Sequence, residues 1–175
     1  MALPLLLVLA LGIIEVSYAL YSQHVVVQLS REAANLISRD VTLQDAAAAM
    51  TSMASLPVDF NSDRSRLTLS VIRQGTAGRN AGKPILYQRC EIGGLVASSV
   101  LRTRGPGAFG GPPDFVALDP DNDEDLQIIN LPDNVAVPNS GLIFLAEVSN
   151  EHNVITPFDK IGFRLPTTLY SSAYF

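Results

Sequence analysis

The sequence predicts an α+β protein in which a long N-terminal helix packs on a mainly antiparallel β-sheet. The first observation is an apolar run that starts at Ala2 and grades without a break into an amphipathic, charged helix pattern ending near Arg39. The second is a change of period after Pro57, where apolar and polar residues begin to alternate as in half-buried strands. A long helix followed by several strands is typical of an α+β fold.

The N-terminal helix is expected to run from residue 3 to residue 39 and to act as a stem. Its apolar half, residues 2–21, is predicted to enter a membrane, whereas residues 40–175 are predicted to form a globular head. The first half of the helix is expected to face lipid or other stems, and the second half carries one apolar stripe for the head. The residues predicted to serve stem packing and assembly are Gly12, Glu15, Val25, Leu29, Ala33 and Leu36.

Glu15 interrupts the apolar run. A membrane-spanning helix needs about 20 mostly apolar residues, and the run from Ala2 to Leu20 barely supplies them. An acid inside a bilayer is costly, so it is usually neutralised, paired or functional. Tyr18 and Tyr21 suit a membrane–water boundary. Glu15 is therefore expected either to find a cationic or hydrogen-bonding partner on another subunit or to remain a protonated or interfacial acid without a role.

Two other interpretations of this helix remain open. Ser17 and Ala19 form a small-x-small pattern, so the segment could be a secretory signal peptide cleaved after Ala19. The lack of a basic residue before the apolar run and the continuous helix pattern argue against it. A buried core helix is the other alternative, although the rest of the chain offers little apolar sequence to surround it.

The N-terminal segment resembles the TadE-like pilus-assembly proteins, minor pseudopilins of the tight-adherence (Tad) system. The matching pieces are LPLL at residues 3–6, GIIE at 12–15 and REAA at 31–34. More loosely, GLIFLAEVSNEH at 141–152 and TTLYSSAYF at 167–175 are similar to late strands of the family. The resemblance implies a type IV pilin-like fold, a structural role in pilus assembly that supports surface adhesion, and other pilin subunits as partners through the N-terminal helix.

The sequence departs from the family at its beginning. The basic leader, the glycine of the cleavage site and the first glutamate of the mature pilin are not found before Met1. We expect the true start to lie upstream.

The resemblance also implies a location in the inner membrane with the head in the periplasm, or in a surface pilus.

The head begins with a predicted second helix, Leu43 to Leu56, capped by Thr42 with Asp45 three residues on. Strands are expected at residues 67–71 and 85–92 as an antiparallel pair. Further strands are predicted at residues 126–131, 142–148, 161–165 and 168–175, with 142–148 as a central strand. Residues 95–101 are ambiguous between strand and helix, and the Gly/Pro-rich stretch that follows is expected to be irregular.

An acidic stretch supplies the one metal hypothesis. Four aspartates alternate as positions 1, 3, 5 and 7 of a calcium loop do, but the glycine expected at position 6 is Glu124 and position 12 is Asn130. The pattern is therefore not an EF-hand. A looser Ca²⁺ site and a solvated acidic turn are both consistent with it. The candidate ligands are Asp119, Asp121, Asp123 and Asp125.

Composition and motifs disfavour the other function classes. The net charge is −5, with no basic stripe, so nucleic-acid binding is not expected. Cys90 is the single cysteine, which excludes an internal disulfide, and neither His24 nor His152 is an evident partner for it. We find no catalytic constellation, so no enzyme activity is expected. The alternative to a pilin-like subunit is an exported adhesin or binding head with a signal peptide or anchor and Ca²⁺ at the acidic loop.

Overall fold

The α+β prediction is confirmed in a computed structural model that describes residues 2–132, 135–156 and 166–175. Helix α1 covers Ala2–Ile37 and helix α2 covers Leu43–Met53. The strands are β1 (Ser65–Gln74), β2 (Pro84–Ile92), β3 (Leu142–Glu151) and β4 (Thr168–Tyr174). They form one antiparallel sheet in the order β2-β1-β3-β4.

Helix α1 is unbroken through its 36 residues, which corresponds to a length of about 55 Å. It ends where Asp40 adopts a positive φ of 56°. Helix α2 then starts at its predicted cap: the Thr42 hydroxyl accepts a hydrogen bond from the Asp45 backbone N–H at 3.1 Å. The Thr42 hydroxyl also donates to the Asp45 carboxylate at 2.8 Å, so the two residues fix the start of α2 together.

The sheet is covered on both faces, which is why its central strands are buried almost throughout. On one face, α1 and α2 enclose a core that includes Leu67 and Leu69 of β1 and Ala146 and Val148 of β3. The opposite face of the sheet is covered by irregular chain, and there the second core contains Ile72, Leu86, Leu101, Ile128, Ile143 and Leu145. The predicted central position of the strand at 142–148 is confirmed, since β3 pairs with both β1 and β4.

The predicted strand at residues 126–131 is wrong. Residues 124–126 form a single 3-10 turn instead, and the following residues make isolated bridges, Gln127 with Ile85 and Ile128 with Thr103. The Asn130 side chain accepts the Arg102 N–H at 2.7 Å in place of a further ladder bond. Residues 126–128 are buried in succession and Ile129 and Asn130 are exposed, so burial does not alternate as in a half-buried strand, and the segment covers the sheet rather than extending it.

Two other predictions are resolved differently. Residues 95–101, left open between strand and helix, are irregular. The strand predicted at residues 161–165 lies outside the described residues. The antiparallel pairing of the strands at 67–71 and 85–92 is confirmed, with a register irregularity between Val71 and Ile72.

Candidate functional site

The N-terminal part of α1 exposes large apolar side chains. The helix contains a stretch within Leu6–Ile37 whose mean hydropathy is 1.6 and of which 11% is buried. A core helix of a soluble protein would be mostly buried, whereas this helix is long and apolar enough to cross a membrane. The exposed apolar side chains in this part are Leu3, Leu6, Leu7, Val8, Leu9, Ile13, Ile14, Val16, Leu20 and Tyr21.

One face of the same helix is buried against the head. Ser22, Val26, Leu29, Ala33 and Ile37 recur every three or four residues and are all buried. Of the four predicted stripe residues beyond Glu15, Leu29 and Ala33 are buried and belong to the core. The other two, Val25 and Leu36, are half-buried and pack at its margin, and Gly12 is half-buried one turn before Glu15.

Hydrogen bonds join α1 to the edge strand β4. The Ser30 and Ser171 hydroxyls are 2.8 Å apart, and the Gln23 side chain donates to the Tyr170 carbonyl at 3.2 Å. Ser30 is fully buried, so its bond also satisfies a hydroxyl that would otherwise be costly to bury. These contacts fix the rotation of α1 on the sheet.

Glu15 lies on the buried face of α1, with only 1% of its surface exposed. Its carboxylate accepts hydrogen bonds from the backbone N–H groups of Ile155 and Thr156, the shortest being 3.1 and 2.8 Å, and from the Thr156 hydroxyl at 2.7 Å. We call this arrangement of Glu15 with residues 152–156 the Glu15 clasp. Hydrogen bonds to a charged acceptor are stronger than neutral ones, so the clasp offsets much of the cost of burial.

His152 completes the clasp. Its Nε2 atom is 3.4 Å from Glu15 Oε1, a charge contact when the imidazole is protonated. Neither ring nitrogen of this buried histidine has a hydrogen-bond partner among the described residues. The ring packs at 5.6 Å from the Tyr18 ring, one turn beyond Glu15 on α1. We expected the partner of Glu15 on another subunit, whereas here its partners come from the same chain.

The N-terminal segment of the chain matches a known protein family. The family model described as TadE-like protein matches residues 1–35. Residues 1–35 form a TadE-like segment. This segment holds both the exposed apolar surface and Glu15, and residues 36–175 lie outside the match. No curated protein and no solved structure matches the chain.

The TadE-like match suggests an association with the Tad pilus system and extends over residues 1–35 alone. The exposed apolar surface of the segment indicates membrane anchoring. The predicted resemblance is confirmed for the pieces at residues 3–6, 12–15 and 31–34, whereas the looser similarity at 141–152 and 167–175 lies outside the match. The layout of one long helix on an antiparallel sheet is like that of a type IV pilin.

The acidic stretch lies outside the TadE-like segment, and its carboxylates act as turn acceptors. Asp119 Oδ1 accepts from the Asn122 backbone and side chain at 3.2 Å each, and Asp123 Oδ1 accepts from the Asp125 N–H at 3.0 Å. Within residues 2–132, 135–156 and 166–175, no three His, Cys, Asp or Glu side chains group to hold a metal. The Ca²⁺ site at Asp119, Asp121, Asp123 and Asp125 therefore stays a prediction.

A buried asparagine holds the acidic stretch against the loop that follows β1. The Asn80 side chain donates to the carbonyls of Pro120 and Asp123 at 3.0 and 2.8 Å, and its own carbonyl accepts from Gln127 at 2.7 Å. Gly78, with φ +60°, comes so close to Asp121 that an added Cβ would lie 2.6 Å from the Asp121 carbonyl oxygen. Contacts with Gly78 and Asn80 thus fix the backbone of the acidic stretch.

A second buried carboxylate, Glu147 of β3, was not singled out from the sequence. It accepts hydrogen bonds from the Val100 N–H and the Tyr170 hydroxyl, both at 2.7 Å, and from the Ser99 hydroxyl. Burial and this contact raise the pKa of Tyr170 above its usual range. Burial and the Glu147 charge also raise the pKa of Tyr174. These hydrogen bonds hold residues 99–100 against the sheet face opposite the helices.

Cys90 is a buried thiol of β2 rather than a reactive one. It is 5% exposed and packs in the core under the helices. Burial, with a smaller contribution from the Glu91 charge, raises its pKa to about 11. The thiolate is therefore scarce at neutral pH, which is the opposite of what a nucleophile requires.

Proposed function

We propose that this protein is a minor pilin-like structural subunit that takes part in assembly of a Tad-type type IV pilus and supports surface adhesion. The observation that carries the proposal is the two-sided character of the TadE-like segment. One face of α1 is built into the head, and the other leaves large apolar side chains exposed. Such a surface calls for lipid or for the helices of other subunits.

In this proposal α1 connects the head to the membrane before assembly and to the filament afterwards. Residues 1–39 act as the stem and residues 40–175 as the head, which lies in the periplasm of a cell with an inner membrane or is carried into a surface pilus. The exposed apolar side chains near the N-terminus of α1 lie in lipid before assembly and pack against other pilin or pseudopilin stems afterwards. The role is structural, without catalysis and without a nucleic-acid partner.

Glu15 gives the proposal its sharpest test. In the subunit, Glu15 accepts hydrogen bonds from Ile155 and Thr156 of its own chain. Replacing Glu15 by Ala removes this acceptor, so residues 152–156 lose their attachment to α1. We expect Glu15→Ala to leave membrane insertion intact and to lower piliation by about tenfold or more, since losing these bonds exceeds about 1.4 kcal/mol.

The measurement is a count of pili per cell, with a membrane fractionation of the subunit beside it. Glu32→Ala is the matched control, because Glu32 is an exposed acid on the same helix, and we expect normal piliation from it. Normal piliation in Glu15→Ala would contradict a role of Glu15 in assembly. Recovery of the intact wild-type chain in the soluble fraction would contradict the membrane stem itself.

A further inference from the structure

We infer that the Glu15 clasp fixes the outer edge of the bilayer hydrocarbon at Ile14 on α1, and that Ile155 and Leu56 contact the lipid headgroup region there. The inference rests on the proposed membrane-anchoring function and makes it specific. From the sequence alone, the boundary falls at Tyr18 to Tyr21 instead. The two positions differ by about 9 Å along the helix, from Ile14 to Leu20.

The burial of α1 changes at the clasp. On the N-terminal side of Glu15, the apolar side chains from Leu6 to Leu9 are all exposed. From Glu15 onward, the head covers one face of every turn, first with residues 152–156 and then with β3 and β4. Lipid can surround most of the helix only before Glu15, where Leu11 and Gly12 are half-buried and the other described side chains are exposed.

Polar groups of the head resist a deeper position. If the hydrocarbon reached Leu20, the clasp loop would enter it together with the polar side chains of His152 and Asn153. Polar side chains are costly to place in hydrocarbon. These residues also line a cavity of about 220 Å³ with Tyr18, Arg64 and Glu151. A charged, open cavity belongs in water or among headgroups, not in the acyl chains.

Two apolar side chains at this end of the head fit a headgroup layer. The clasp loop itself presents Ile155, which is 54% exposed although its N–H is bound to Glu15. Leu56 is 82% exposed and lies beside Tyr18 at the same cavity. The headgroup region on each side of a bilayer is about 5–7 Å thick. Leu56 lies beside Tyr18 and Ile155 is bound to Glu15, so both are next to α1 near the clasp, and a headgroup layer at that level would cover both.

Single tryptophans test the boundary cleanly, because the chain has none of its own. The full chain is placed in phosphatidylcholine vesicles with bromine atoms deep in the acyl chains or close to the headgroups. We expect Leu9→Trp to lose most of its emission to the deep bromines. We expect Leu20→Trp to match Leu142→Trp, an exposed control at the far end of β3. Ile155→Trp and Leu56→Trp should respond to the shallow bromines alone.

The outcomes separate this inference from the proposed function. Quenching of both Leu9→Trp and Leu20→Trp by the deep bromines would support the membrane stem and contradict a hydrocarbon edge at Ile14. Quenching of neither by any lipid would contradict membrane anchoring. Shallow quenching of Ile155→Trp and Leu56→Trp no stronger than that of Leu142→Trp would overturn the headgroup contact.

The clasp is tested in the Leu20→Trp background. Adding Glu15→Ala releases residues 152–156 from the helix, so we expect deep bromines to quench Trp at position 20 in that variant. Adding Glu32→Ala, which leaves the clasp intact, should change nothing. Equal quenching with and without Glu15 would show that another contact holds the boundary and would overturn the role given to the clasp.

Discussion

Two buried carboxylates show how single residues set the positions of whole segments in this protein. Glu15 and Glu147 are 1% and 3% exposed. Both are surrounded by backbone N–H and hydroxyl donors from segments distant in sequence. A buried acceptor of this kind makes its donors expensive to move, because each would otherwise be left without a partner. Glu15 thereby holds a loop to the stem, and Glu147 holds residues 99–100 to the sheet.

At this scale we predict the effect of Glu147→Ala. The change leaves the Ser99 hydroxyl, the Val100 N–H and the Tyr170 hydroxyl without their acceptor in a buried site. We expect the free energy of unfolding to fall by about 3 kcal/mol, and by roughly half as much in Glu147→Gln, which keeps one acceptor oxygen. Urea unfolding followed by circular dichroism measures both values.

Glu151→Ala is the matched control on the same strand. Glu151 forms an exposed ion pair with Arg64 at 3.4 Å, about half of each side chain being in water. Exposed pairs contribute under about 1 kcal/mol. A loss in Glu147→Ala no larger than that in Glu151→Ala would contradict the network described here.

At the scale of elements, α1 and α2 form for different reasons. Helix α1 draws stability from packing, since its buried stripe from Ser22 to Ile37 lies on the sheet. Helix α2 has 11 residues, a length at which helices are marginal on their own. Its start therefore depends on the Thr42 cap, and its burial depends on Leu43, Ala46 and Met50.

We predict that Thr42→Ala lowers the free energy of unfolding by about 1 kcal/mol, because the Asp45 N–H loses its side-chain acceptor. Ser52→Ala, an exposed change near the other end of the same helix, should stay within about 0.5 kcal/mol of wild type. Thermal unfolding of the two variants side by side measures the difference. Equal stability of the two would mean that α2 does not depend on its cap.

At the scale of the whole molecule, the stem and the head share one core. Val26, Leu29, Ala33, Ala34 and Ile37 of α1 belong to the same cluster as the central strands. The head is thus not closed without the second half of the helix. The exposed first half adds nothing to that core in the described structure, and its surface is available for lipid or for other stems.

We predict opposite results from two truncations. A chain that begins at Glu15 retains the core and loses exposed apolar surface, so it should melt cooperatively and elute as a compact species in size-exclusion chromatography. A chain that begins at Ser38 uncovers the helix-facing side of the sheet and should not fold cooperatively, because five buried apolar side chains of α1 are lost. A cooperative melt of the shorter chain would show that the head folds without its stem.

The sequence by itself determined the elements whose signals are local. The apolar period of α1, the Thr42 cap, the alternation in β1 and the antiparallel pairing of β1 with β2 all act over a few residues, and all were predicted. The TadE-like match lies in the same local segment. Such patterns can be recognised in one sequence because they depend on residues that are close together along the chain.

Only the tertiary structure decided what lies far apart in the sequence. The Thr156 donors of Glu15 are 141 residues away, and nothing near Glu15 indicates them. The sequence at residues 126–131 predicted a strand, yet in the structure Ile128 packs in the core on the sheet face opposite the helices. Which surface a buried polar or apolar group meets depends on how remote segments pack, and no local pattern encodes that choice.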